Sequence, residues 1–131
     1  MKEYNLQRFL DAQESTYAVA LHEIRSGGKR NHWIWYIFPQ EKGLGYSYNS
    51  RYYGLDGIGE AKAYLAHPVL GGRLREISSA LLQHAGSRNI RQLMGSSIDM
   101  VKLKSCMTLF DEVSPNDVFA DVLAAFYGRR Q

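Results

Sequence analysis

The chain is poor in the residues that staple or ligate. One cysteine, Cys106, forms no internal disulfide and builds no thiolate metal site alone. The four histidines, His22, His32, His67 and His84, never stand four apart on a helix with a carboxylate between them, so no metal is expected. No run of eighteen apolar residues occurs and the first fifteen residues are polar, which argues against a membrane span and a secretory leader. There is no Gly-x-Ser-x-Gly elbow for a serine nucleophile and no internal repeat. The excess of positive charge is small, 16 basic against 13 acidic residues. The cations fall in scattered pairs such as Lys29-Arg30, Lys102 with Lys104, and Arg129-Arg130, where a duplex binder needs a dense stripe. Nucleic acid is therefore not the expected partner, and a reduced, cytoplasmic setting is.

What is present suits one globular domain spanning residues 1–131. Hydrophobic residues make up 45% and charged residues 22%, and surface scaling for this mass leaves roughly 7,000 Å² exposed after folding. The expected fold is mainly α, a compact single domain of five to six helices with an aromatic, glycine-rich loop after the first. Residues 5–26 read as one helix, with Leu6, Phe9, Leu10, Tyr17, Ala20, Leu21 and Ile24 on one face and Gly27-Gly28 at its end. Further helices are expected over Glu60–Ala66, from Pro68 to Ala85, and from Ser97 to Val113. Residues 88–94 add a turn or two, and a last helix starts at Ser114-Pro115 with Asp117 at its third position. Gln13 falls on the apolar stripe of the first helix, where a buried amide must find partners: it either ties a neighbouring loop to that helix or serves as a ligand contact.

Residues 33–53 hold eight of the sixteen aromatics. Alternation across Trp33, Trp35 and Ile37 permits a short strand that Pro39 stops, and Gly43 and Gly45 mark turns. Flat faces of Trp33 and Trp35, with a tyrosine (Tyr46 or Tyr53), suit a stacked ring, and glycine-rich backbone admits a phosphate closely. The plainer reading makes these large side chains core. His32 beside them is a candidate for proton transfer. GLG alone is too short for a phosphate-binding fingerprint.

On the helix from Ser97 to Val113, at about 100° per residue, Met100, Leu103, Met107 and Phe110 form one apolar strip. Ile98, Val101 and Leu109 form a second on the opposite side. A helix apolar on two sides is expected to be central. Asp99, Lys102 and Cys106 lie between the strips, and Asp99 and Lys102, three apart, can pair. They either bridge at the edge of the packed helix or line a polar pocket.

The motifs Arg8-Phe9 with Ala12-Gln13, HWIWYIFPQ (His32 to Gln40), Gly43-Leu44-Gly45 with Ser47, and Tyr53 resemble domain-of-unknown-function family 1810. So do Glu60-Ala61, His67-Pro68-Val69-Leu70-Gly71, Asp99 with Lys102-Leu103, Met107 to Phe110, and Phe126-Tyr127-Gly128. The resemblance implies a compact, mainly helical bacterial domain with no established activity. It also implies a short acidic helical tail beyond Arg129-Arg130-Gln131, which this sequence does not contain. A looser similarity to the NADAR fold, whose members are linked to ADP-ribose and N-glycosidic bonds, concerns fold alone and carries over no residue.

Two functions compete. The first is a pocket protein that binds or hydrolyses a nucleotide-derived or ADP-ribose-like molecule, with no cofactor. His32, Asp99, Lys102 and Glu60 would be its catalytic groups. Gln13, Trp33, Trp35, Gln40, Gly45, Tyr46, Ser47, Arg51 and Tyr53 would be its ligand contacts. The alternative is a non-catalytic protein-interaction module using the aromatic 33–53 segment. The sequence does not decide between enzyme and module.

Overall fold

The computed structural model describes residues 3–128, so Arg129, Arg130 and Gln131 lie outside the described residues. These form nine helices and no strand; one isolated parallel bridge joins Glu41 and Leu55. In order they are α1 (Gln7–Glu14), α2 (Tyr17–Arg25), α3 (Ile34–Ile37), α4 (Tyr48–Tyr52), α5 (Gly57–Ala66), α6 (Pro68–Leu82), α7 (Ile90–Met94), α8 (Ser97–Val113) and α9 (Val118–Tyr127). The mainly helical class stands, but the count of five to six is corrected upward.

The extra helices come from three local effects. Ser15 and Thr16 interrupt the stripe expected to run through residues 5–26. The Thr16 N–H turns back onto the Gln13 carbonyl, and the chain restarts as α2. The strand expected at 33–37 is the single turn α3. The buried residues in it and at its two caps are Trp33, Ile34, Ile37 and Phe38, a helical spacing in which Ile34 takes the place that a two-residue period would give Trp35. The loop tyrosines add α4, whose N-cap Ser47 accepts from the Ser50 N–H and donates to the Ser50 hydroxyl.

Other boundaries follow capping chemistry. Pro68 opens α6 while the His67 ring nitrogen accepts from the N–H groups of Val69 and Leu70. Asn89 and Gln92 cap α7 reciprocally. The last helix starts three residues later than the Ser-Pro signal suggests, because Asp117 is its cap. One Asp117 oxygen takes the Val118 N–H, and the other is held by Ser114 and Arg75.

The core lies where α6, α8 and α9 pack together, with α5 against α6 and α8. Trp33, Tyr64, Phe9, Phe38, Phe110 and Phe119 are its largest members. The Gly71 backbone meets α5 so closely that a Cβ would run into the Leu65 carbonyl, so this helical glycine is a packing requirement. The chain's surface of 7115 Å² is close to the scaling expectation.

One buried carboxylate fastens the start of the aromatic segment. Glu23, on α2, accepts from the backbone N–H groups of Arg30 and Asn31, from the Asn31 amide and from the Trp33 indole. Burial opposes its charge, yet these bonds outweigh that penalty and lower its pKa to about 2. Because the folded value lies below the ordinary glutamate value of 4.5, its stabilisation is present above that pH and is lost as pH falls toward 2. Glu23→Ala is expected to lower stability by about 3 kcal/mol at neutral pH. In urea unfolding, the gap to wild type should narrow as pH drops from about 5 to 2. A gap that stays constant over that window contradicts this role.

Candidate functional site

The tryptophan-bearing segment and α8 do meet, though not as the spacing of charges suggests. Asp99 does not pair with Lys102. Its carboxylate binds the ammonium of Lys29, 2.8 Å away and largely buried, which also lies over the Trp33 ring. Lys29 arrives there because its N–H is bound to the Leu93 carbonyl beside the turn into α8. Lys102 instead places its ammonium 5.1 Å from the centre of the Trp35 ring.

Trp35, Gln40 and Tyr53 gather with Asn49, Ser50 and Gly54 around a void of about 10 Å³. That is room for one water at most, and no nucleobase fits there. The Trp35 indole N–H has no hydrogen-bond partner and is buried. Outside this filled contact the surface opens into a groove between the Gln40–Gly45 loop and α8. Its first hollow, of about 560 Å³, is lined by Gln40, Leu44, Ser97, Ile98, Val101, Lys102 and Ser105. A second, of about 310 Å³, shares Leu44 and Ser105 and continues along α8 to Glu112.

The expectation that α8 is buried on two sides is corrected by its exposures. Leu109 is 6% exposed, but Ile98 is 69% and Val101 58%. The first strip faces α5 and α9, while the N-terminal half of the second is uncovered beside Leu44. Cys106 lies fully inside, where burial pushes its thiol well above the ordinary range and leaves it inert.

Most other candidates serve the fold. The Gln13 amide donates to the Tyr36 carbonyl and the Tyr64 hydroxyl and accepts from Arg73, so it finds the partners that burial demands but ties α1 to α3, α5 and α6 instead of to a loop. Glu60 is buried; one oxygen binds Arg8 at 2.8 Å and the other takes the Asp56 N–H. Trp33 is fully buried, so neither ring face is open to a ligand. Tyr53 packs on Phe9, Tyr36 and Tyr52, and burial raises its pKa. Gly45 lies too close to the Ser50 side chain to carry a Cβ. Ser47 is committed to capping α4. His32 and Arg51 are exposed and line neither hollow, and Tyr46 is 92% exposed. Of the proposed set, the structure brings together Trp35, Gln40, Tyr53 and Lys102; His32, Asp99 and Glu60 do not converge with them. Among the described residues no three His, Cys, Asp or Glu side chains gather as a metal would require. None of the described helices is long and apolar enough to cross a membrane.

The residues that sequence reasoning passed over are Leu44, Ile98 and Val101. Leu44 carried a signal, an aliphatic side chain held between two glycines in a loop.

Residues 3–131 match the family described as protein of unknown function, DUF1810. The crystal structure of the conserved hypothetical protein Rv1873 from Mycobacterium tuberculosis, at 1.38 Å, is similar to this chain with a TM-score of 0.90 and 41% identity. The match covers 95% of this chain and 89% of that one. None of the curated proteins compared with it is significantly similar.

The two ionic residues of α8 should separate in stability measurements. Asp99→Ala leaves the Lys29 ammonium buried without a counter-charge and is expected to cost about 3 kcal/mol. Lys102→Met loses only a cation–ring contact, about 1 kcal/mol or less. Chemical denaturation of both variants checks this, and equal losses would contradict the assigned pairing.

Proposed function

We propose that this chain, which belongs to the DUF1810 family of proteins of unknown function, is a non-catalytic interaction module that holds an apolar segment of a partner protein along α8. The observation that carries this reading is the exposure of Ile98, Val101 and Leu44 in one hollow. Single exposed aliphatic residues are ordinary, but three converging in a groove mark a surface that gains by being covered. Each would contribute about 1–2 kcal/mol when buried by a partner. Tyr46 on the neighbouring loop and Tyr48 at the start of α4, 92% and 69% exposed, supply further contact area of the kind that dominates interfaces.

The state of the candidate acids favours binding over cleavage. Hydrolysis of an N-glycosidic bond needs a carboxylate free to face the developing positive centre. Asp99 is held by Lys29 and Glu60 by Arg8, and no carboxylate lines the hollow that contains Lys102.

A second reading, a small nucleotide-derived anion such as ADP-ribose, is favoured by Lys102 itself. It stands beside Gln40 in that hollow with no ion pair among the described residues.

Panning a display library of random peptides against the immobilised protein separates the two. Wild type is expected to retain peptides that the doubly substituted Ile98→Asp, Val101→Asp protein does not. The melting temperature should be unchanged, because both positions are exposed. Equal retention by the two proteins would overturn the module. Calorimetric heat with ADP-ribose, lost in Lys102→Met and unaccompanied by peptide retention, would establish the small-ligand reading in its place.

A further inference from the structure

Resting on that reading, the distribution of charge along the groove says what kind of segment fits. In the first hollow Lys102 is the ionisable residue, and nothing negative lines it. The second hollow carries Glu41 and Glu112, neither of whose carboxylates has a hydrogen bond or ion pair among the described residues. Lys104 also borders it, but its ammonium is drawn over the Tyr127 ring, 5.9 Å from the centre. The groove is thus positive at one end and negative at the other. Between the ends lie Leu44, which borders both hollows, and the hydroxylated Ser105 and Thr108; Val101 sits one residue before Lys102, on the side away from Glu112.

The helix sets the scale. Lys102 and Glu112 are ten residues apart on α8, about 15 Å at 1.5 Å per residue. Residues 101, 105, 108 and 112 follow one another at spacings of four and three, so both hollows open on one face. An extended chain rises about 3.3 Å per residue and presents alternate side chains to the same side. Two same-side residues four apart are separated by about 13 Å, close to the span between the charged ends.

We infer that the groove takes an extended peptide segment of a partner protein, with an acidic side chain at Lys102, a basic side chain four residues away at Glu112 and Glu41, and an apolar residue midway against Leu44. The charges fix register and direction, and the apolar residue supplies most of the contact energy. A helical occupant would need its opposite charges about ten residues apart to span the same distance.

The test uses the peptides that panning enriches. Their sequences are expected to share an acidic and a basic residue four apart around an apolar centre. For the best of them, Lys102→Glu or Glu112→Lys in the protein should each weaken binding about fivefold, the effect of an exposed ion pair. The doubly exchanged Lys102→Glu, Glu112→Lys protein should prefer the peptide with its two charges swapped. Glu112 is exposed, whereas Lys102 is half-buried over the Trp35 ring, so Lys102→Glu lowers the melting temperature slightly and an unchanged helical circular dichroism spectrum verifies folding. Enriched peptides without that spacing, with charges ten apart, or bound equally well after the exchange overturn the inference while leaving the interaction module standing. If wild type enriches nothing beyond the Ile98→Asp, Val101→Asp control, the module itself falls and this inference with it.

Discussion

The groove exists because one guanidinium holds its outer wall. Arg8, from α1, donates to the carbonyls of Asn5, Tyr52 and Gly54 and to the Glu60 carboxylate, with only 8% and 3% of the two charged side chains exposed. Burying these charges costs solvation, and only a full set of partners offsets it. Here the forked geometry of the guanidinium reaches carbonyls on both sides of Tyr53. Together with the Gln40–Leu55 and Lys42–Leu55 backbone bonds, it closes the long loop at its base. The loop's exposed tip, with Leu44, is thereby held opposite α8. Loops of this kind, with their ends tied and their tips free, commonly carry recognition.

The same economy explains why residues that look catalytic are not gathered into a reaction centre. Buried charges are consumed in joining one element to another: Glu23 binds the turn into Trp33, Lys29 binds Asp99 across to α8, and Arg8 binds Glu60 from α1 to α5. A charge fully satisfied by fixed partners is a poor proton carrier and a good fastener. Among the described residues, apolar surface and a few charges stay uncovered along one face of α8. Those are the materials of recognition.

Legibility in the sequence followed the range of the interactions. Local signals were readable: Pro68 at a helix start, a turn or two near residues 88–94, glycines after helix ends, and the full extent of α8. That Gln13 needs partners was readable too, since it is an amide on an apolar stripe. Pairings across long stretches of chain were not. Nothing in local spacing says that Asp99 will meet Lys29 before Lys102, or that Glu60 will be reached by Arg8 from 52 positions away. The wheel found both apolar strips of α8 but carries no information on which has a neighbour. Ile98 and Val101 therefore read as core when they are surface, and tertiary packing alone decides such cases. The turn at Trp33–Phe38 misled because residues 33, 35 and 37 fit a two-residue period by identity, whereas burial follows 33, 34, 37 and 38.

The most direct test of the groove as a recognition surface is a two-dimensional amide NMR titration of the intact protein with a peptide selected on it. Shifts confined to residues 40–45 and 97–112, with the hollow bordered by Val19, His22 and Arg30 on α2 and the following turn unmoved, are the predicted result. Shifts centred on that second face, or none at saturating peptide, would contradict it.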